Sequence, residues 1–218
     1  NRGRGVASGY WGNAGMPASC SIAINGDGTV SLAEGSPDIG GSRTSIAMMC
    51  AEAFGIAAED VHPSIKDTDS IGYNGLTAGS STTLRNGWAV FEVTNQAIEL
   101  IKARAARLWE TEPENVDFAD GVFFSKAEKE LKLTFKEMAG KLMETGGPIS
   151  VAASVAPRGA GPSFTTHMVD VEVDPETGKV DILRYTAAQD VGTMIHPDYV
   201  EGQVQGGTAQ GIGWALNE

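Results

Sequence analysis

The sequence predicts an α/β (α+β) fold in which helices and a mixed sheet form two layers. Two kinds of pattern lead to this prediction. Pairs of short apolar runs are joined by turns that contain glycine, which is typical of β-hairpins. Other segments repeat apolar residues at helical spacing, and they intermix with the strands without the strict alternation of a doubly wound parallel sheet.

Three hairpins are predicted, with turns at residues 25–28, 120–121 and 174–178. Each turn contains an Asn-Gly, Asp-Gly or Thr-Gly pair, and glycine readily adopts the positive φ that tight turns require. The third hairpin is the clearest, because three valines alternate with acidic residues along residues 164–173 and leave one face of that strand to water. A further strand is predicted over residues 61–66.

Helical periodicity predicts a first helix that ends at Gly55 and a long second helix over residues 84–109. The stripe of the long helix that should face the core consists of Val90, Val93, Ala97, Leu100, Ile101 and Leu108. A third helix is predicted over residues 135–144. The last helix, over residues 197–216, contains five glycines, which weaken helices, so we expect those glycines to serve close packing or a ligand.

A stretch rich in glycine and proline at residues 155–161 is the best candidate linker. We therefore predict two parts of one region. Residues 1–154 form a first α/β part, and residues 162–218 form a hairpin with the glycine-rich helix. The chain does not begin with methionine and its first residues resemble a strand, so we expect it to be a piece of a longer polypeptide.

Charge and composition exclude several classes of protein. A net charge of −12 argues against a nucleic-acid-binding surface, which needs basic groups to replace phosphate counterions. No apolar run approaches the roughly 20 residues of a transmembrane helix, and no secretory signal is visible. The two cysteines, Cys20 and Cys50, fit reduced packing residues better than a disulfide framework or a zinc site. The expected location is the cytoplasm.

Three glycine-rich segments are candidates for chemistry. Residues 35–44 form a turn that opens a helix, where backbone N–H groups bind anions, although a plain strand-to-helix turn explains the pattern as well. Residues 77–83 offer small side chains, hydroxyl groups and N–H groups that suit a phosphate or pterin, or else a simple helix cap. Residues 189–213 place glutamines among glycines, either to reach a heteroatom-rich ligand or as solvated side chains of a packed helix.

In this order and spacing, the three segments resemble the large, molybdenum-binding subunit of the xanthine dehydrogenase, aldehyde oxidase and carbon monoxide dehydrogenase-like molybdenum hydroxylases. The resemblance covers nearly all of the chain and includes Asp-Thr-Asp at residues 67–69 and Asn-Gly-Trp-Ala-Val at residues 86–90. It implies a molybdopterin-binding domain of the molybdenum hydroxylase type. It also implies a molybdopterin cofactor, in some members the cytosine dinucleotide, that holds molybdenum through dithiolene sulfurs rather than protein ligands.

The resemblance implies cofactor-binding roles for eight residues. A hydroxyl and N–H cradle for the pterin and its phosphate is expected at Ala78, Gly79, Ser80, Ser81 and Thr82. Gln203 corresponds to the glutamine that hydrogen-bonds the pterin. Gly40 and Gly41 correspond to the loop beside the molybdenum ligands or the pterin. No residue of the chain is expected to ligate a metal directly.

The chain departs from the family at two places. The family's usual Met-Gly-Gln-Gly is replaced by Asp-Ile-Gly-Gly at residues 38–41, so a glutamine contact at that loop is not expected. The family's catalytic glutamate lies in a Gly-Glu-Pro sequence, which this chain lacks, and Glu218 is not assigned that role. We therefore expect no catalytic residue in this chain and no activity from the chain alone.

The implied parent enzyme is an oxidoreductase that hydroxylates an aldehyde, an N-heterocycle or an aromatic thioester with oxygen derived from water. Iron–sulfur clusters and FAD are expected on partner subunits or domains, because two cysteines are too few to hold such a cluster. The full enzyme is then expected to be a hetero-oligomer. The alternative is a non-catalytic assembly or interaction domain that keeps the fold without the cofactor.

Overall fold

The computed structural model describes residues 1–218 apart from the side chain of Ala160. Its strands are β1 (Arg2–Ala14), β2 (Ala18–Ile24), β3 (Val30–Glu34), β4 (Val61–Ile65), β5 (Val116–Ala119), β6 (Val122–Ser125), β7 (Lys132–Thr134), β8 (Ile149–Val155), β9 (Gly159–Val173) and β10 (Val180–Asp190). Its helices are α1 (Ser42–Phe54), α2 (Thr68–Ile71), α3 (Thr82–Leu108), α4 (Phe135–Gly140), α5 (Leu142–Thr145) and α6 (Pro197–Leu216). Two compact units result, a larger one of Ala14–Gly159 and a smaller one of Asn1–Asn13 with Ala160–Glu218.

The larger unit is built on a four-stranded mixed sheet in the order β4-β3-β2-β8. Strand β2 is antiparallel to both β3 and β8, whereas β3 runs parallel to β4. The predicted hairpin at residues 25–28 is confirmed as β2 and β3, and the strand predicted at residues 61–66 is β4. The predicted α/β class with a mixed sheet is therefore confirmed, although the chain also forms two three-stranded sheets.

The core of the larger unit lies between this sheet and two helices. Helix α3 packs on β2 and β8, α1 packs on β4, and the two helices pack on each other. The end of the Met49 side chain of α1 packs on Gly87 of α3, where a Cβ would lie 2.4 Å from Met49 Cε. Two turns further along α3, the Cys50 thiol and the Thr94 hydroxyl are 3.8 Å apart in the same buried interface.

The long helix was predicted almost to its ends, but one residue of its stripe was placed on the wrong face. Val90, Val93, Ala97 and Ile101 are buried as expected. Leu100 is 47 % exposed, because the buried stripe runs through Ile98 instead. With 3.6 residues per turn, two positions this close in sequence point to different sides of a helix.

The turn between β5 and β6 touches the end of α1. Gly55 ends α1 with φ 61°, as predicted, and Gly121 of the predicted hairpin turn has φ 76°. A Cβ at Gly55 would lie 2.3 Å from the backbone nitrogen of Gly121, and a Cβ at Gly121 would lie 2.4 Å from the Gly55 carbonyl oxygen. The helix end and the hairpin therefore fit together only because both residues are glycine.

The helix predicted over residues 135–144 is wrong as a single element. It begins with a capping box, in which Thr134 and Glu137 each bond the other's backbone, but it breaks at Lys141 into α4 and α5. Gly140 immediately precedes the break. Glycine is among the weakest helix formers. The apolar spacing of a helix therefore continues past Gly140 in the sequence, although the helical backbone is interrupted there.

The smaller unit consists of helix α6 and a sheet in the order β1-β9-β10. The predicted hairpin is confirmed, since β9 and β10 pair antiparallel. At its turn Gly178 has φ 75°, and the Asp174 carboxylate accepts hydrogen bonds from the Glu176 N–H at 2.9 Å and the Thr177 hydroxyl at 2.6 Å. Among the described residues of this unit, none is buried.

Helix α6 matches the predicted glycine-rich helix. A Cβ added at any of its five glycines would meet no atom within 4 Å outside the local helix backbone. Close packing inside the described part of the chain therefore does not account for these glycines. That they serve a ligand stays a prediction.

The observed units differ in one respect from the two predicted parts, residues 1–154 and 162–218. The predicted linker contains the junction of the units, which falls between residues 159 and 160. Residues 1–13, however, group with the C-terminal part, because β1 hydrogen-bonds to β9 and does not join the larger sheet. Within the described residues, no helix is both long and apolar enough to cross a membrane.

We predict that Gly55→Ala destabilises the protein by about 2–4 kcal/mol, because it combines left-handed strain with a backbone collision. Gly26→Ala is the matched control, since a Cβ at Gly26 meets nothing within 4 Å and its φ is not in the left-handed region. The measurement is the free energy of unfolding in denaturant. Equal values for the two variants would contradict the contact between α1 and the hairpin.

The two cysteines should resist alkylation in the folded protein. Cys20 and Cys50 are free and buried, and burial raises the pKa of each thiol to about 12. Because the thiolate is the reactive form, iodoacetamide at about pH 8 should label neither residue until denaturant is added. Mass spectrometry of the labelled protein gives the count, and rapid labelling without denaturant would show that the core is open.

Candidate functional site

The first loop, residues 35–41, joins β3 to α1 and contains the predicted site residues Gly40 and Gly41. Both have positive φ, 67° and 76°, and Gly41 is the N-cap of α1. The Asp38 carboxylate accepts a hydrogen bond from the Arg43 N–H at 3.1 Å and pairs with the Arg43 guanidinium at 3.3 Å. A negative charge of the chain itself therefore already lies at the N-terminus of α1, where the helix dipole favours it.

The second loop, residues 77–81, leads into α3 and contains four of the predicted cradle residues. Gly79 and Ser80 have φ 61° and 55°, in the left-handed region. One hydrogen bond lies within the loop, since the Ser81 hydroxyl donates to the Ala78 carbonyl at 2.8 Å. A second joins it to the end of β1, where the Gly79 carbonyl accepts from the Ala14 N–H at 3.0 Å.

The side chain of Ser81 does not cap the N-terminus of α3. Ser81 occupies the N-cap position, but its hydroxyl donates to the Ala78 carbonyl, so Ser81 is not the simple side-chain cap that the sequence left open as an alternative. Thr82 is the first residue of the 27-residue helix α3. The aligned peptide dipoles of the helix place a positive partial charge at this N-terminus, where the first N–H groups have no partner within the helix. Beside this turn, the hydroxyl oxygen of Thr77 is buried without a hydrogen-bond partner among the described residues.

The side chain of Asn74 joins the segment before the second loop to the sheet by hydrogen bonds like those of a neighbouring strand. The Asn74 amide accepts a hydrogen bond from the Ser19 N–H at 3.3 Å and donates to the Ser19 carbonyl at 3.1 Å. It thereby continues the β2 ladder beyond Glu34, where β3 ends. Gly35 makes this possible, because a Cβ there would lie 2.6 Å from Asn74 Nδ2.

A buried polar network lies where the first loop meets α3. We define the buried network as Glu34, Ser36 and Asn86. Glu34 Oε2 accepts hydrogen bonds from the Ser36 N–H at 2.7 Å and from Asn86 Nδ2 at 3.2 Å, and Asn86 Nδ2 also bonds Ser36 Oγ. Burial raises the pKa of the Glu34 carboxyl, and the hydrogen bonds from Ser36 oppose the shift.

Arg85 lies beside the buried network and is 0 % exposed. A Cβ at Gly75 would lie 2.3 Å from Arg85 Nη1, so the guanidinium packs directly on the segment that precedes the second loop. Burial lowers the pKa of Arg85, and the charge of Glu34 opposes that shift. Among the described residues, Arg85 Nε and Nη2 and Glu34 Oε1 are buried without a hydrogen-bond partner.

No site role was assigned from the sequence to the side chains of Glu34, Asn74 or Asn86. Each is polar within or beside an apolar segment, which was the available signal, but their partners lie about 50 residues away in sequence. The predicted loop residues Gly40, Gly41 and 78–82 all lie in the larger unit. Gln203 is exposed on α6 in the smaller unit.

An open groove on the sheet of the smaller unit contains none of the predicted site residues. It is lined by Arg2, Gly3, Arg4, Asp170, Val171 and Leu183. Two hydrogen bonds of 2.6 and 2.9 Å join the Arg4 guanidinium to Asp170, so the charge of Arg4 is already paired. Across the described residues, no group of three or more His, Cys, Asp or Glu side chains is placed to hold a metal ion.

Comparison with known proteins identifies the family. All of the chain, residues 1–218, matches the family model described as the molybdopterin cofactor-binding domain. The chain belongs to this family. The resemblance to molybdenum hydroxylases seen in the sequence is thereby confirmed, and the molybdopterin cofactor-binding domain is the type of domain that the two loops belong to.

Curated relatives extend well beyond the length of this chain. It is 31 % identical to the xanthine dehydrogenase molybdenum-binding subunit of Escherichia coli O157:H7 over 229 aligned residues, which cover 100 % of the chain and 30 % of the relative. It is 27 % identical to the nicotine 6-hydroxylase large subunit of Paenarthrobacter nicotinovorans, covering 92 % of the chain and 26 % of that protein. The chain thus spans less than a third of these relatives.

Solved structures share the fold. Quinoline 2-oxidoreductase from Pseudomonas putida 86 superposes with a TM-score of 0.85 at 23 % identity, covering 97 % of the chain and 30 % of that protein. Reconstituted CO dehydrogenase from Oligotropha carboxidovorans gives a TM-score of 0.83 at 25 % identity, covering 94 % and 28 %. The predicted fold type, a molybdopterin-binding domain of a molybdenum hydroxylase, is therefore confirmed.

We predict that Asn74→Asp destabilises the protein by about 1–3 kcal/mol, because the Ser19 carbonyl loses its donor and faces a carboxylate. Asn115→Asp is the control, since Asn115 is an exposed side chain whose amide donates to the Thr111 hydroxyl at 3.1 Å. Urea unfolding of both variants gives the comparison. If Asn74→Asp were as stable as Asn115→Asp, the amide would not be holding the segment before the second loop.

Proposed function

We propose that this chain provides the cofactor-holding part of a larger molybdopterin-dependent oxidoreductase, one that hydroxylates an aldehyde, an N-heterocycle or an aromatic thioester with oxygen from water. One observation supports it above the others. The left-handed turn at Gly79 and Ser80 leads into the N-terminus of a 27-residue helix whose N-cap residue, Ser81, makes no side-chain capping bond. Backbone N–H groups in that position suit a phosphate-bearing ligand.

The residues of the second loop fit a molybdopterin. Their side chains are small or carry hydroxyl groups, so a ligand is able to approach the backbone, and Thr77 adds a buried hydroxyl without a partner among the described residues. The bond between Ser81 and Ala78 keeps the turn in shape without using the first amides of α3. The helix dipole adds an attraction for a negative charge of about 0.3–1 kcal/mol.

Each predicted residue has a defined part in this proposal. Ala78, Gly79, Ser80, Ser81 and Thr82 bind the phosphate and pterin through N–H and hydroxyl groups. The Gln203 amide hydrogen-bonds the pterin, and Gly40 and Gly41 let backbone lie beside it. When bound, the cofactor supplies the two-electron chemistry of its molybdenum, while these residues bind, orient and exclude water. The cytosine dinucleotide form is included in the proposal.

Partners are proposed to carry the remaining redox centres. The only cysteines of the chain, Cys20 and Cys50, are buried in the core and suit packing, not cluster ligation. Iron–sulfur clusters and FAD are therefore proposed on other subunits or domains of a cytoplasmic hetero-oligomer. Relatives named as a molybdenum-binding subunit and as a large subunit support this division of labour.

A second function, a non-catalytic assembly domain without cofactor, is favoured by one specific observation. In the first loop Gly40 stands where the family commonly has glutamine, and Asp38 already occupies the N-terminus of α1 with a negative charge. The two proposals differ in molybdenum content, since only the cofactor-holding domain accounts for stoichiometric metal in the full-length protein.

In the full-length protein, Gln203→Ala should lower molybdenum per protomer, because it removes one or two hydrogen bonds to a buried polar ligand, about 1–3 kcal/mol. Gln210→Ala on the same helix is the matched control, since both glutamines are exposed in this chain. Elemental analysis of the two variants side by side, with circular dichroism to check the fold, makes the test. Full and equal occupancy in both would remove Gln203 from the site.

A further inference from the structure

Asn86 occupies an unexpected position for an asparagine. It lies one turn into α3 and is 1 % exposed, on the face of the helix that packs against the core. Asparagine disfavours helix interiors because its side chain competes for backbone bonds, and an apolar residue would suit this packing better. The stability of α3 therefore does not explain why an amide stands here.

Both contacts of the Asn86 amide nitrogen go to the start of the first loop. It donates to Glu34 Oε2 at 3.2 Å and bonds Ser36 Oγ. Asn86 itself is five residues beyond Ser81, so its backbone belongs to the helix that the second loop opens. In the larger unit, this one side chain thus connects the beginning of the first loop to the end of the second.

Glu34 anchors that connection to the sheet. It is the last residue of β3, and the same carboxyl oxygen that bonds Asn86 also accepts the Ser36 N–H at 2.7 Å. The first loop starts at the next residue, Gly35. Because Glu34 Oε2 bonds both the first loop and α3, the direction in which the loop leaves the sheet depends on the position of α3.

Arg85 lies beside the buried network. Its guanidinium is attracted to Glu34 and packs on Gly75. The Gly75 N–H donates to the Pro17 carbonyl at 2.9 Å, next to β2. The segment before the second loop thus packs on Arg85, the residue next to Asn86.

We propose that Asn86 is a positioning residue that sets the first loop against the second, through its hydrogen bonds to Glu34 and Ser36. This inference rests on the proposed function, in which backbone amides of both loops meet one cofactor. Asn86 touches no ligand in this role. It keeps the two groups of amides in register, so that a rigid, bulky ligand finds both in place.

The test swaps the two members of the central hydrogen bond in the full-length protein. Asn86→Asp replaces the donor by an acceptor and brings two carboxyl groups together. The double variant Glu34→Gln/Asn86→Asp puts the amide on the strand and the carboxyl on the helix, which restores one amide–carboxyl bond and the original net charge. Asn95→Asp, half-buried on the same helix and outside the buried network, is the matched control.

The first readout is amide hydrogen exchange of the cofactor-free protein. We expect Asn86→Asp to speed exchange in residues 36–41 by about tenfold or more, and the double variant to restore it to within about twofold of wild type. Asn95→Asp should leave it unchanged. A general packing defect would instead speed exchange along α1 and α3, and the double variant would not reverse it.

The second readout is molybdenum per protomer in the loaded protein, which should follow the same order. Unchanged exchange in residues 36–41 for Asn86→Asp would overturn the proposal, and so would a double variant no better than the single one. A wild-type protein that binds no molybdenum, with the exchange results as expected, would contradict the proposed function while supporting the coupling of the loops.

Discussion

Burial of the inner face of α3 is the constraint on which the larger unit depends. This face contacts two strands of the mixed sheet and the neighbouring helix α1. Several of its buried residues are small, among them Gly87, Ala89 and Ala97, so the helix packs closely on its neighbours there. Once the helix is held in this way, the position of its N-terminus is determined, and with it the place where the second loop presents its amides.

The apolar pattern predicted most strands and helices because it records which face of each element is buried. It failed where the structure depends on contacts between residues that are distant in the sequence. Residues 1–13 were correctly seen as strand-like, but nothing in them indicates that their partner is β9 and not the larger sheet. Leu100 was wrongly predicted to be buried because the apolar residues of this long helix fit a buried stripe through either Ile98 or Leu100. The elements that pack against the helix bury Ile98.

The candidate site was predicted unevenly for a similar reason. Glycine clusters marked both loops correctly, since positive φ leaves a trace in the sequence itself. The side chains that support the loops left no such trace. Asn74 bonds Ser19 across 55 residues, and Asn86 bonds Ser36 across 50, so their roles depend on a tertiary arrangement that no local window contains.

The contact between Gly55 and Gly121 restricts how sequences of this fold diverge. Each Cβ would meet backbone of the other segment, and glycine is already the smallest residue, so a change at one position has no compensating change at the other. A homologue with a side chain at either position has to have moved the helix end or the hairpin turn. The pair is therefore a checkpoint for sequence alignment, because it separates relatives that keep this junction from those that rebuilt it.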